Sequence, residues 1–150
     1  YKNLGDAGAI KTAIELYRPQ YFFVINGDLF TIFDLNKFFM FCEKISTRED
    51  VWGVIIIKKF RSHLGILQLE ERENMLFIKS FEEKPLFENF YSSCGMYFLF
   101  PERNRISGFD FAKDYLSVSY KNFAPYVIQE NQWFAIETLK DKEQVEKFLD

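Results

Sequence analysis

Five consecutive apolar residues, Tyr21–Ile25, are followed directly by Asn26, Gly27 and Asp28. A strand with one face in water alternates apolar and polar residues, whereas an uninterrupted apolar strand is typical of a parallel sheet that helices cover on both faces. Asparagine and glycine are turn residues and end this strand abruptly. The segment therefore predicts a strand of an α/β sheet that carries a carboxylate at its C-terminal end.

The rest of the chain alternates helical and strand-like segments. Ala7–Tyr17 has apolar residues at helical spacing and ends before Pro19. Asp34 is placed to cap a second helix, and Val51–Ile57 has the composition of a second buried strand. The further expected elements are strands over Gly65–Leu69, Met75–Phe81 and Ser92–Phe100, a short helix over Phe109–Ser119, a hairpin of Tyr126–Gln129 with Gln132–Ile136, and a terminal helix over Lys140–Leu149. This order predicts an α/β fold with a mixed, mainly parallel sheet flanked by helices and a small antiparallel insertion.

Composition and charge exclude several classes of function. The 150 residues suffice for one domain, and 22 acidic against 19 basic residues, without a basic tract, argue against nucleic acid as a partner. Apolar runs are far shorter than the roughly 18 residues of a membrane span, and no leader of signal-peptide type follows Tyr1, so we expect no membrane partner and a cytoplasmic protein. Cys42 and Cys94 form no CxxC pair, which excludes a disulfide framework and a zinc ribbon.

Asp28 is the residue that most directly suggests chemistry. Ligands of open α/β sheets bind beyond the carboxyl ends of the strands, and a carboxylate there can hold Mg²⁺, which shares its oxygen ligands with substrate phosphates. The alternative is an ordinary turn aspartate after Gly27.

Two further segments admit a functional and a structural interpretation. Leu4–Ala9 is rich in small residues and opens a helix, which suits either a close backbone approach by a ligand or tight packing. Glu83-Lys84-Pro85 ends a strand, and its lysine suits a phosphate, although a solvated charged turn has the same composition. His63, the only histidine, is expected on a surface loop.

Seven short motifs follow one another along the chain: Leu4-Gly5-x-Ala7-Gly8-Ala9, Phe23–Asp28, Asp34-Leu35, His63–Ile66, Phe81-x-Glu83-Lys84-Pro85, Gly95-x-Tyr97 and Trp133-x-x-Ile136-x-Thr138. In this order they resemble the sugar-phosphate nucleotidylyltransferases, especially the enzymes that make nucleoside-diphosphate mannose, heptose or glucose. The resemblance covers nearly the whole chain and implies one Rossmann-like, partial transferase domain over residues 1–150. It also implies a reaction that joins a nucleoside triphosphate to a sugar 1-phosphate, releases pyrophosphate and yields a nucleotide sugar.

The resemblance assigns roles by position, and it leaves the nucleobase and the sugar open. Asp28 matches the aspartate that binds the cofactor Mg²⁺. The nucleotide-binding positions are Leu4, Gly5, Gly27 and Asp28, and the sugar-phosphate-binding positions are Glu83, Lys84 and Gly95.

Several family positions are changed in this chain. Ala135 stands where the family has its second metal-binding aspartate, and Ala112 replaces a sugar-binding carboxylate. Glu137, two residues after Ala135, shares its strand face and is a substitute ligand to consider. Ser93 replaces the usual asparagine before the Gly-x-Tyr motif. The family's Gly-Gly-x-Gly-Thr-Arg-Leu loop, with the catalytic basic residue that follows it, is not among these residues, so the sequence reads as N-terminally truncated and its catalytic residue is unknown.

These departures lead to two hypotheses. The first is a transferase that is active only with the upstream segment, so that this chain by itself is inactive. The second is a non-catalytic homologue that binds a nucleotide sugar or regulates a partner. In either case the strand before Asp28 lacks the neighbour that the family provides, and an exposed edge favours association into a homo-oligomer.

Overall fold

The computed structural model of the chain describes residues 3–149. Its helices are α1 (Gly5–Tyr17), α2 (Leu35–Ser46), a π helix (Phe111–Leu116) that continues into α3 (Ser117–Ser119), and α4 (Leu139–Glu146). Its strands are β1 (Phe22–Ile25), β2 (Leu29–Thr31), β3 (Gly53–Arg61), β4 (Ile66–Arg72), β5 (Met75–Glu82), β6 (Leu86–Leu99), β7 (Phe123–Val127) and β8 (Trp133–Ala135). Short 3₁₀ turns lie at Pro101–Arg103, Tyr120–Asn122 and Glu130–Gln132.

The central sheet has the strand order β1-β6-β3-β7. Strand β6 runs antiparallel to both β1 and β3, while β3 and β7 are parallel. Strands β1, β3 and β7 therefore point in one direction and β6 in the other. The expected mixed sheet is confirmed, with three of its four strands in one direction but only the β3–β7 pairing parallel. The antiparallel insertion is confirmed as well, and it is the β4–β5 hairpin.

Helices cover both faces of this sheet, as the apolar composition of its strands predicts. Residues of β6 alternate between the faces: Met96 and Phe98 belong to the core beneath α2, and Tyr97 and Leu99 belong to the core beneath α1 and the π helix. Helix α2 contributes Phe38, whose side chain is fully buried. The result is a three-layer arrangement in which the central sheet lies between two layers of helices.

Local sequence signals account for the ends of the helices. Arg18 adopts a left-handed conformation with a φ of 45° and ends α1 directly before Pro19. The Asp34 carboxylate accepts a hydrogen bond from the backbone N–H of Lys37 at the start of α2, as the cap expected there requires. Thr138 opens α4 with a capping box.

The expected hairpin of Tyr126–Gln129 with Gln132–Ile136 is wrong. Strand β7 pairs in parallel with β3 of the central sheet, and β8 pairs antiparallel with β2, which the sequence did not predict as a strand. The 3₁₀ turn at Glu130–Gln132, closed by a capping box, separates the two strands instead of pairing them. None of the helices within residues 3–149 is long and apolar enough to cross a membrane.

Candidate active site

Three segments that are distant in the sequence meet at the C-terminal end of β1. The backbone N–H of Asn26 donates to the Gly95 carbonyl at 3.0 Å, and the backbone N–H of Ile136 donates to the Asp28 carbonyl at 2.8 Å. These bonds tie the turn after β1 to β6 on one side and to the chain after β8 on the other. The structure thus brings Asp28 together with Gly95 and residues 133–138, all of which the sequence identified separately.

The backbone of β6 is shaped around this turn. Gly95 has a φ of +68°, and a Cβ atom there would lie 2.7 Å from Nδ2 of Asn26. Its N–H donates to Oγ of Ser93 at 3.3 Å, and the indole N–H of Trp133 donates to the Cys94 carbonyl at 2.8 Å. The left-handed conformation therefore favours glycine at position 95, and a Cβ atom there would also displace the side-chain amide of Asn26.

The Asp28 side chain is exposed, and its surroundings determine what it could hold. Leu29 lies opposite Ala135 in the β2–β8 pair, so the changed family position is next to the aspartate. Among residues 3–149, no group of three His, Cys, Asp or Glu side chains is placed to bind a metal ion. Mg²⁺ is commonly held by one or two carboxylates together with substrate phosphates and water. The single carboxylate of Asp28 fits that mode and does not fit a site built from protein ligands alone.

A cavity of about 540 Å³ opens beside these segments, between β3, β8 and α4. We call it the β8 cavity. The residues that line it are Lys58, His63, Glu130, Trp133, Phe134, Ala135, Glu137, Asp141 and Gln144. Ala135 and Glu137 border the same space, but so does Phe134, and Glu137 lies beyond the end of β8, so the shared strand face expected for Ala135 and Glu137 stays a prediction.

Two further carboxylates at this cavity already have partners. Glu130 makes two hydrogen bonds with the Arg61 guanidinium, at 2.8 and 3.1 Å, and this ion pair lowers the pKa of the Glu130 carboxyl. Asp141 accepts hydrogen bonds from the hydroxyl and the backbone N–H of Thr138, each at 2.8 Å, which lower the pKa of Asp141. Because both carboxylates are already bonded to neighbouring residues of the cavity wall, we assign neither of them to ligand binding.

Lys58 is the residue that sequence reasoning missed. Its half-buried side chain places Nζ 4.7 Å from the centre of the Trp133 ring. Within the described part of the chain, no carboxylate lies within ion-pair distance of Nζ. The only sequence signal was a lysine at the end of a buried strand. His63 is exposed, as expected, and it also borders this cavity.

The segment Glu83-Lys84-Pro85 is anchored near the same place. Arg61, which holds Glu130, also donates to the Lys84 carbonyl at 3.2 Å. Lys84 has a φ of 48°, Pro85 is buried, and the side chains of Glu83 and Lys84 are both exposed. The turn is therefore fixed by its backbone while its charged side chains stay free to meet a ligand.

None of the site residues that the family resemblance assigns lines the β8 cavity itself: Leu4, Gly5, Gly27, Asp28, Glu83, Lys84 and Gly95. Gly5 has a φ of +64°, and a Cβ atom there would lie 2.0 Å from the carbonyl oxygen of Phe109. The Asp6 carboxylate accepts a hydrogen bond from the backbone N–H of Phe111 at 2.8 Å. Packing of α1 against the start of the π helix thus accounts for this glycine, and its role at the nucleobase stays a prediction.

Comparisons with known proteins agree with this arrangement. A family model described as nucleotidyl transferase matches residues 1–135. Among solved structures, the chain is similar to HddC from Yersinia pseudotuberculosis, with 23% identity and a TM-score of 0.57. The alignment covers 98% of this chain and 64% of HddC, so the chain spans less than two thirds of that protein's length. A likeness at this identity shows the fold. No curated protein matches the chain.

Proposed function

The chain belongs to the nucleotidyl transferase family, whose model matches residues 1–135, and we propose that it serves the transfer of a nucleotidyl group to a sugar 1-phosphate. The observation that carries the proposal is the meeting of Asp28, Gly95 and residues 133–138 beside a cavity that contains a lysine and a tryptophan. The Asp28 carboxylate can bind a metal–phosphate complex. The Lys58 ammonium group, which lies over the Trp133 ring, can bind a phosphate.

The reaction places most of its demands on positioning and on charge. An oxygen of the sugar phosphate forms a bond to the α-phosphorus of the triphosphate while the bond from that phosphorus to pyrophosphate breaks. A bound Mg²⁺ would supply neutralisation of the charge on the phosphates, and Asp28 is the residue that would hold it. Gly27, beside Asp28, has open space at its Cα and leaves room for the nucleotide.

The sugar phosphate is assigned to the β8 cavity and its rim. Lys58, with Lys84 from the rim, contacts the phosphate, and the face of Trp133 lies under the apolar side of the sugar ring. Glu137 accepts hydrogen bonds from sugar hydroxyls. Glu83 and Gly95 enter the proposal through the family resemblance, since neither lines the cavity. These groups orient the attacking phosphate and contribute to the rate through positioning.

Binding is the first test, because we expect this chain by itself to be inactive. Calorimetric titration with Mg²⁺ and ATP, GTP, UTP, CTP or dTTP, and separately with mannose, heptose or glucose 1-phosphate, should reveal one base and one sugar. Asp28→Asn should weaken nucleotide binding, whereas Asp50→Asn, an exposed aspartate paired with Arg48 at the other end of the sheet, should not. Failure to bind any of these compounds would contradict the proposal.

A matched pair of lysines tests the sugar-phosphate site. Lys58 and Lys59 are neighbours on β3 and are both half-buried, but only Lys58 borders the β8 cavity. Lys58→Gln should weaken binding of the sugar 1-phosphate about tenfold, in line with the loss of one charge-assisted contact. Lys59→Gln should leave it unchanged, and equal effects of the two variants would remove Lys58 from the site.

A non-catalytic homologue is the second candidate, and Ala135 favours it. Such a protein would bind the same ligands without releasing pyrophosphate. Ala135→Asp restores a carboxylate next to Asp28, and Ala135→Asn, of the same shape without the charge, is its control. Pyrophosphate release gained only by the aspartate variant would indicate a site that lost catalysis through this position. Release by the unchanged chain would contradict the non-catalytic candidate.

A further inference from the structure

Strands β4 and β5 carry apolar side chains that belong to neither core. In the antiparallel register Leu67 lies opposite Phe81, and Leu69 lies opposite Ile78. Residues opposite each other share a face of the ribbon, and so do residues two apart on one strand. A register shift between Gln68 and Leu69 adds one residue to β5, so Ile78 and Phe81, three apart, also share a face. One face therefore collects five large apolar side chains, each between 50% and 69% exposed, which we call the hairpin strip: Leu67, Leu69, Leu76, Ile78 and Phe81. Glu71, opposite Leu76, lies on the same face at one end of the strip.

The other face of the ribbon carries polar and charged side chains among its apolar ones. It carries Gln68 and Ser80 opposite each other, and Arg72 forms an ion pair with Glu70. The Arg72 guanidinium also lies over the ring of Phe77, 5.9 Å from its centre. The apolar residues of this face, Phe77 and Met75, are also exposed, but polar groups are interspersed among them, whereas the five apolar side chains of the hairpin strip follow one another along its face.

We infer that two copies of this chain associate by packing their hairpin strips face to face. An isolated two-stranded ribbon is at best marginally stable in water, so an uncovered apolar face calls for a partner. The strip exposes apolar surface on the order of 500 Å², at the upper end of what a monomer shows. Two copies would bury about 1,000 Å² in total, which is the lower bound for a specific interface.

The exclusion of an acidic lipid surface, together with symmetry, favours a second copy as the occupant. Residues 66–82 carry four glutamates against one arginine and one lysine, so the hairpin is repelled by an acidic lipid surface. A flat strip of similar side chains is complementary to itself, and a twofold axis through its centre closes the assembly at two copies. The inference does not depend on the reaction proposed above.

Sedimentation equilibrium of the purified chain tests the inference, with variants on the two faces of the ribbon. The unchanged chain, of 18.0 kDa, should sediment at twice that mass. Leu69→Glu and Ile78→Glu on the strip should raise the dimer dissociation constant at least tenfold. Gln68→Glu and Ser80→Glu, on the same strands but on the opposite face, should leave it unchanged. Because the hairpin joins neither core, all four variants should keep the far-UV circular dichroism of the unchanged chain.

A cysteine variant gives a second measurement that adds no charge. Ile78→Cys should form an intermolecular disulfide on mild oxidation, whereas Ser80→Cys should not. A chain that stays monomeric at all concentrations would overturn the inference. So would a dimer that persists in both strip variants, since the interface would then lie elsewhere, for example at the free edge of β1. A monomer that binds neutral phosphatidylcholine vesicles through the strip would also overturn it.

Discussion

Gly27 and Gly95 lie beside each other at the candidate site, but the fold needs only one of them to be glycine. Gly95 has a φ of +68°, and a Cβ atom there would displace the Asn26 side chain, whereas Gly27 has an ordinary φ and open space around it. Gly95→Ala should therefore lower the free energy of unfolding by roughly 1–3 kcal/mol. Gly27→Ala should change it by less than about 0.5 kcal/mol. Urea denaturation followed by circular dichroism measures both.

The same two variants separate a structural from a ligand-binding role. If the nucleotide approaches the backbone at Gly27, as the family resemblance implies, Gly27→Ala should weaken nucleotide binding in a protein of normal stability. A Gly27 variant that binds normally would make this glycine an ordinary turn residue. A Gly95 variant of normal stability would contradict the steric argument for that position.

Residues at the site differ in how far the sequence could predict them. Asp28 could be identified because a carboxylate directly after a buried strand is a local pattern. Lys58 could not, because its importance comes from the Trp133 ring beside it, and that contact depends on how β3 and β8 are brought together. The bond from Trp133 to the Cys94 carbonyl is equally invisible in the sequence, since 39 residues separate the partners.

Elements show the same division between local and distant causes. Helices α1 and α2 and strand β3 could be predicted from periodicity and caps, and the charged turn located the β4–β5 hairpin. The supposed pairing of β7 with β8 failed because the partner of a strand depends on contacts far along the chain, here with β3 and β2. Neighbours in the sequence are the usual partners of strands, and that general tendency misled the interpretation.

Arg103 joins three elements and provides a test at this scale. Its guanidinium donates to the carbonyls of Ser46, Arg48 and Val51, at 2.8, 2.7 and 2.9 Å. It thereby satisfies the C-terminal end of α2 and the loop that leads to β3. Arg103→Met keeps the apolar stem but leaves partly buried carbonyls without donors, so it should lower the free energy of unfolding by about 1–3 kcal/mol.

Arg48→Met is the matched control for Arg103. Arg48 makes only an exposed ion pair with Asp50, at 2.8 Å, and such pairs contribute little in water. Its urea midpoint should stay close to that of the unchanged chain. Equal losses in the two variants would mean that the C-terminal end of α2 does not depend on the Arg103 guanidinium.

At the scale of the whole molecule, the two faces of the sheet differ in how close their cores lie to the candidate site. The core beneath α2 contains both cysteines, Cys42 from the helix and Cys94 from β6, next to the candidate site. The face beneath α1 is closed by the π helix. The core on one face could unfold locally while the core on the other face stays folded. If it does, ligand binding can rearrange the site without disturbing the rest of the fold.

The two thiols report this opening directly. Burial raises the pKa of both Cys42 and Cys94 to about 12, so at pH 8 the native thiols are almost entirely protonated, whereas a substantial fraction of the thiols of an unfolded chain is ionised. Both should therefore react with a disulfide reagent only at the rate of global unfolding. Both thiols have a higher pKa in the folded chain than in the unfolded chain. Their contribution to the free energy of unfolding is therefore fully present below about pH 8.5 and is lost as the pH rises toward 12. The chain should therefore become easier to unfold in alkaline solution.

Single variants identify which thiol reacts. Cys42→Ala leaves Cys94 alone, and Cys94→Ala leaves Cys42 alone, so the two reaction rates can be compared at pH 8 and at several urea concentrations. Equal rates that rise together with urea would mean that the core beneath α2 opens only as a unit. A Cys94 thiol that reacts quickly in the native chain would contradict this, because it would place a local opening at the β6 turn. Sugar 1-phosphate should then slow that reaction if the β8 cavity is its binding site, since a ligand that binds the closed state suppresses opening.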